Sequence, residues 1–297
     1  LSDKLGALLK LSVKAIADSE FGQLLTEVDR LGAACLAYKE LLNPKHCAFR
    51  IGVTGPPGAG KSSLIGKAIL NLQSQGLKVG VLAIDPSSPF SKGAILGDRI
   101  RYSDHSSDQN VFIRSLGTRG SLGGLSSSSY LMLRAFDHVG FDVVIVETVG
   151  VGQTELEIMN VADHICVVLV PESGDSIQAM KAGLIEIADS FVVNKADRPG
   201  ADSLVNELKQ NVDAFDSNIQ RKIFSTVATN GDGVAEVVKH WLSHNDSKKI
   251  KTSRNSPKRL QAEAFSLSRT MLEAEAKRGI KNIQTATDLL SFTQRIK

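Results

Sequence analysis

An α/β fold built on a mainly parallel sheet is what this chain predicts, on three observations. Short apolar, β-branched runs recur along it, at 48–54, 79–85, 111–115, 143–147, 165–170, 191–194 and 222–227. Stretches of helical periodicity lie between most of them, as at 61–75, 125–138, 176–188 and 202–215. A glycine-rich turn, Gly55-Pro-Pro-Gly-Ala-Gly-Lys-Ser62, joins the first strand to the first of these helices. Runs that stay apolar instead of alternating suit strands buried on both faces, and their alternation with helices suits a parallel sheet covered by helices.

Around this core the chain divides into three parts. Leu5, Leu8, Leu9, Val13 and Ile16, then Phe21, Leu24, Leu25, Val28, Leu31 and Leu36, fall near i, i+3, i+4 spacing. Residues 1–45 are therefore expected to be a helical extension, stopped by Asn43-Pro44. Residues 46–247 hold the alternating core. Residues 247–259 are polar and basic and read as a linker, with a final helical pattern from about Leu260. The serines at 126–129 suit the start of the helix they precede.

Composition excludes several classes. A 297-residue chain that is 42% hydrophobic and 23% charged can bury a core and is not disordered throughout. Cys35, Cys47 and Cys166 are far apart, which indicates neither a disulfide framework nor a zinc module. No apolar run reaches the roughly 18 residues of a membrane span, so no membrane partner is expected. Net charge is +3, but residues 248–297 hold 12 Lys/Arg against 4 Asp/Glu and the rest of the chain is net acidic. The basic tail lacks aromatic interleaving and a recognition motif, so it reads as a solvated helical arm and not as a nucleic-acid site.

The glycine-rich turn fits G-x-x-x-x-G-K-[ST] in the strand–turn–helix context a P-loop requires. Its residues, Gly55, Pro56, Pro57, Gly58, Ala59, Gly60, Lys61, Ser62 and Ser63, are the candidate phosphate site. Backbone N–H groups and a helix N-terminus converge there on phosphate oxygens. Lys61 is placed to reach the β/γ-phosphates and the Ser62 hydroxyl to ligate Mg²⁺.

A strand ending in Asn194-Lys195-Ala196-Asp197 follows about 130 residues later. A carboxylate at Asp197 can accept hydrogen bonds from guanine N1–H and its exocyclic amine, a donor pair adenine lacks, so GTP is expected over ATP. Asn194 is expected to brace the neighbouring loop and Lys195 to lie along the base. Val227, Ala228 and Thr229, at the end of the next strand, are where a second base-contacting loop would sit.

Glu147 ends an apolar strand and stands where a P-loop site needs a carboxylate for Mg²⁺. Asp85, closing the second strand, and Asp98 are further candidates for metal or water contacts. Gly150 and Gly152 would let the backbone approach a γ-phosphate. Arg99 and Arg101 suit either phosphate contact or surface pairing with Asp104 and Asp108. Gln153 suits either positioning of the attacking water or capping of the next helix. The six histidines show no metal spacing; His240 and His244 are four apart on a helix without a second ligand cluster.

GPPGAGKSS, IDPSSPFSKGAILGDRIR, FDVVIVETVGVGQTELE and ADSFVVNKAD together resemble the MeaB/ArgK-like (MMAA-type) GTPase family. The resemblance is closest over 48–200. It implies a SIMIBI-class P-loop core with N- and C-terminal helical extensions, the latter used for homodimerisation. It implies a Mg²⁺-dependent GTPase that binds GTP and GDP and serves as chaperone of an adenosylcobalamin-dependent mutase, methylmalonyl-CoA mutase by that likeness. The GTPase would gate cofactor delivery and protect or reactivate the mutase. On this resemblance Lys61, Glu147, Asp98 and Gln153 would be catalytic, and Ser62, Asp85, Asp98 and Glu147 would serve the metal. Residues 171–178 match a mobile segment of the family. Lys92 and Glu172-Ser173 depart from its more glycine-rich pattern. The expected compartment is a bacterial cytoplasm, or the mitochondrial matrix if an upstream transit segment is removed. The alternative is a nucleotide-dependent kinase of the ArgK type linked to amino-acid transport.

Overall fold

A computed structural model describes residues 3–10, 18–85, 110–117, 125–148, 154–171, 183–215 and 221–280. Its centre is a seven-stranded, all-parallel sheet: β1 Phe49–Thr54, β2 Val79–Asp85, β3 Val111–Gly117, β4 Val143–Thr148, β5 His164–Leu169, β6 Ser190–Asn194 and β7 Lys222–Thr226. The strand order is β3-β2-β4-β1-β5-β6-β7. The strand before the P-loop is thus flanked by β4 and β5, with Val53 opposite Glu147 on one side and Cys166 on the other.

Period-two geometry sorts the apolar strand residues onto two faces. Val144 and Val146 join the cluster formed with helix α5 (Ser127–Val139), whereas Val143 and Ile145 join the cluster under α4 (Lys61–Gln73) and α9 (Val234–Leu242). In β5, Cys166 and Val168 face that same side. Ile165, Val167 and Leu169 pack with α8 (Ala201–Phe215). Both faces are dry, which accounts for the uninterrupted apolar runs.

The N-terminal helices α1 (Asp3–Leu9) and α2 (Asp18–Leu31), a 3₁₀ turn at Gly32–Ala37 and α3 (Lys39–Leu42) pack into the α5 cluster. Phe21 is fully buried, its ring 4.6 Å from Phe112, 5.0 Å from Phe136 and 5.1 Å from Phe141. At α5, Ser126 takes the N-cap position, and its hydroxyl lies 3.1 Å from that of Ser129.

Two elements differ from expectation. Of the helix expected over 176–188, the described residues contain only α7, Leu184–Ile187, after α6 at Thr154–Glu157. The stretch read as a linker is helical: α10 spans Ser247–Arg254 and α11 spans Pro257–Ile280. Asp246 caps α10 by accepting from the Lys248 and Lys249 amides, and Ile250 is buried among the α9 residues. Pro257, at the first position of α11, suits a helix start.

The basic residues of this arm are not simply solvated. Arg254 donates to Asp137 at 2.5 Å, to Asp163 at 3.0 Å and to the Ala48 carbonyl, and Arg259 donates to Asp163 at 2.8 Å and to the Ala162 carbonyl. Arg134 of α5 clasps Glu263 of α11 through two bonds of 2.6 Å. Core carboxylates thus pair two of the arginines that read as free charge.

Candidate functional site

The site lies at the carboxyl ends of the central strands, where the P-loop leaves β1 and enters α4. Two of its glycines are required by space. A side chain on Gly55 (φ 138°) would strike the Val168 carbonyl of β5, and one on Gly60 (φ 82°) would strike Asn194 Nδ2. The loop is therefore seated against β5 and the end of β6.

Lys61, the first residue of α4, is 6% exposed, and its Nζ donates to the carbonyls of Gly55 at 2.8 Å and Pro56 at 2.9 Å. The ammonium is thereby held over the loop that converging amides would line. Ser62 Oγ donates to Glu147 Oε1 at 2.7 Å. Glu147 is 4% exposed, and the next residue ties its strand to β1, Thr148 Oγ1 donating to Thr54 Oγ1 at 2.9 Å. A hydroxyl and a carboxylate in contact are hard oxygen donors, the set that suits Mg²⁺ beside phosphates. The residues present fit that ion. Among the described residues no group of three or more His, Cys, Asp or Glu is arranged as a metal centre.

Asn194 is the joint of the second half. Its Nδ2 donates to the Ala59 carbonyl at 2.9 Å, while its Oδ1 accepts from the Ala228 amide at 3.0 Å and from Thr226 Oγ1 at 3.1 Å. It links the P-loop, β6 and the loop after β7. Lys195 follows with φ 56°, the one non-glycine residue among those described with positive φ, a conformation that needs support from its surroundings. Hydrogen bonds from Ala196 N to Thr226 O and from Arg198 N to Lys195 O supply it. Asp197 is exposed at the open end of this loop. Val227 pairs with Asp232 across a tight turn, Ala228 is buried and Thr229 is exposed.

The candidates thus divide clearly. Gly55 to Ser63, Glu147, Asn194, Lys195, Asp197 and Val227 to Thr229 lie along the carboxyl-end edge of the sheet, where Ser62 meets Glu147 and Asn194 joins Ala59 to Ala228. Asp98, Gln153, Arg99, Arg101, Gly150, Gly152 and residues 172–178 lie outside the described residues. The backbone of Asp85 ends β2 opposite Gly117. Sequence reasoning missed Thr54, Thr148 and Thr226; the available signal was a threonine closing β1, β4 and β7.

Three histidines also come together, at the opposite end of the sheet. His164, His240 and His244 have ring centroids 4.7 to 5.5 Å apart. Burial, with His244 and His240 nearby, pushes His164 down to about 3. The three cysteines are free, and burial pushes the Cys166 thiol up to about 12, which makes it inert.

A family model described as "Methylmalonyl Co-A mutase-associated GTPase MeaB" matches residues 28–283. A candidate GTPase of Pyrococcus horikoshii is 50% identical over 208 residues, 68% of this chain and 65% of that protein. GTPase ArgK of Escherichia coli is 45% identical over 149 residues, 50% of this chain and 45% of that protein. The matched stretch thus spans less than two thirds of the length of either relative. Among solved structures, that of an LAO/AO transport system kinase aligns over 100% of this chain and 99% of its own, with TM-score 0.59 and 23% identity, which speaks to the fold alone. No described helix is long and apolar enough to cross a membrane.

Proposed function

The chain belongs to the MeaB family of methylmalonyl Co-A mutase-associated GTPases, and on that premise we propose that it hydrolyses GTP to GDP and phosphate with Mg²⁺ and serves as chaperone of an adenosylcobalamin-dependent acyl-CoA mutase. Methylmalonyl-CoA mutase is the proposed partner, with the nucleotide state gating cofactor delivery and protecting or reactivating the mutase. Residues 46–247 act as the GTPase core, and 1–45 and 248–297 as its helical extensions.

The observation that carries the reaction is the contact of Ser62 Oγ with Glu147 Oε1, next to a buried Lys61. Ser62 and Glu147 would hold Mg²⁺, whose charge offsets that on the β- and γ-phosphate oxygens. Lys61 and the loop amides orient the phosphates. Water adds to the γ-phosphorus as the bond to the bridging oxygen breaks, and the leaving GDP takes that electron pair. Positioning and charge stabilisation supply most of the acceleration. Asp98 and Gln153 are proposed for the water, and Asp85 and Asp98 as further acids serving the metal. Asp197 selects guanine, Lys195 lies along the base, and Asn194 fixes both loops.

Homodimerisation through the C-terminal arm belongs to the same reading. It is supported by Phe265, Met271 and Leu272 of α11, which are 72%, 59% and 66% exposed. The test of the reaction is phosphate release from GTP against ATP, with and without Mg²⁺. Mg²⁺-dependent release from GTP alone is expected. Equal release from ATP contradicts the base assignment, and phosphate transferred to an acceptor in place of water would favour a kinase.

A further inference from the structure

A cleft of about 330 Å³ opens at the amino ends of the strands, the edge of the sheet opposite the P-loop. The segment 42–47, α5 and the C-terminal arm enclose it. Its size is at the lower end of the range for small-molecule sites.

The cleft is over-supplied with positive charge. Lys45, Arg50, Arg134, Lys251, Arg254 and Arg259 line it. They face three carboxylates: Asp137 and Glu263 in the lining, and Asp163, which accepts from Arg254 and Arg259. Asp137 is shared, taking Arg50 at 2.6 Å and Arg254 at 2.5 Å. Lys45 and Lys251 are exposed and form no ion pair among the described residues.

The buried pair at the floor is under-satisfied as well. The Arg50 and Arg254 side chains are 8% and 9% exposed, and the Nε of each is buried without a hydrogen-bond partner among the described residues. Burial and the neighbouring Arg254 charge push Arg50 down to about 10. Four guanidinium and two ammonium groups set against three carboxylates leave a local excess that a multiply charged anion would neutralise. Guanidinium forks match the oxygens of a phosphate group.

We infer that this cleft binds a small, doubly charged phosphate-class oxyanion, with Lys45 and Lys251 at the rim and Arg50 and Arg254 at the floor. The site is separate from the nucleotide crevice, so the inference does not depend on the proposed reaction. The anion would also strengthen the hold of the core on the arm, because α10 contributes both Lys251 and Arg254.

The test uses the full chain with a non-hydrolysable GTP analogue present, so that the P-loop phosphate positions are filled. Inorganic phosphate and, in a second arm, glycerol 3-phosphate are titrated calorimetrically against chloride at matched ionic strength. The chain and its Lys45→Ala/Lys251→Ala variant are compared. Both lysines are exposed, so the variant should fold with an unchanged melting temperature in chloride. One anion per chain is expected, with the dissociation constant raised at least about tenfold in the variant. Tighter binding of glycerol 3-phosphate identifies an organic phosphate as the occupant, and tighter binding of inorganic phosphate identifies the free ion. No binding to the unmodified chain, or equal binding to the variant, overturns the inference.

Discussion

Arg254 of the C-terminal arm donates to Asp137 at 2.5 Å, and Asp137 also accepts the Ala48 amide at 2.9 Å and Arg50 at 2.6 Å. One carboxylate at the end of α5 therefore joins the start of the first strand to the arm. Asp163 repeats the arrangement one strand away, accepting from the Arg50 amide, Arg254 and Arg259.

That relationship makes the two partners unequal under mutation. Asp137→Asn leaves two buried guanidinium groups sharing a neutral amide and should destabilise the chain by about 3–5 kcal/mol, the cost of an uncompensated buried charge. Arg254→Met leaves Asp137 with Arg50 and Asp163 with Arg259, so it should cost less in urea unfolding while exposing the arm to limited proteolysis. Equal costs would argue against the shared-carboxylate account.

Lys61→Ala removes the ammonium held over the P-loop by two carbonyls. Nucleotide affinity should fall roughly 10- to 100-fold, the worth of charge-assisted contacts to phosphate. Fluorescent-nucleotide titration measures it, and an unchanged affinity would remove Lys61 from the phosphate site.

Asp197→Asn should exchange guanine for xanthine. A carboxylate can accept from both guanine donors, whereas an amide can donate to the 2-oxo group of xanthine and accept from N1–H. Competition between GTP and XTP should therefore reverse in the variant. Equal loss of both nucleotides would mean that Asp197 acts on the loop and not on the base.

The histidine cluster gives the fold an acid limit. His164 is buried, its Nε2 2.8 Å from Ser190 Oγ, with the His240 and His244 rings 5.5 and 4.9 Å away. Burial, then the charges of His244 and His240, push it down to about 3, and burial pushes His240 down to about 4. Above about pH 6.5 both the folded and unfolded chains carry these rings neutral, and no stability changes hands. Below it the unfolded chain takes up protons that the native chain refuses, so stability falls toward pH 3. His164 alone accounts for about 2 kcal/mol at pH 5. His164→Gln should flatten the loss of melting temperature between about pH 7 and pH 5, and an unchanged slope would contradict the assignment.

What was legible in the sequence was what is local. A phosphate loop needs its glycines, lysine and hydroxyl in one turn, and the residues proposed for the base, Asn194, Lys195 and Asp197, lie together at one strand end. Both could be read from contiguous residues. The parallel sheet was readable because strands buried on both faces carry unbroken apolar runs. Contacts distant in sequence left no such mark. Arg254 and Arg259 read as linker charge because their carboxylates come from Asp137 and Asp163, about a hundred residues earlier. His164 read as isolated because its partners His240 and His244 sit on α9 and just beyond its end. Phe21 read as part of an extension, yet it packs on Phe112, Phe136 and Phe141 because the open face of the sheet must be covered.

The most direct test of the central claim is GTP hydrolysis by the purified chain with and without purified methylmalonyl-CoA mutase, with ATP as the control nucleotide. Slow turnover of GTP alone that rises sharply on adding the mutase is the predicted result. GTP turnover indifferent to the mutase would contradict the proposed partnership and leave a GTPase in search of another partner.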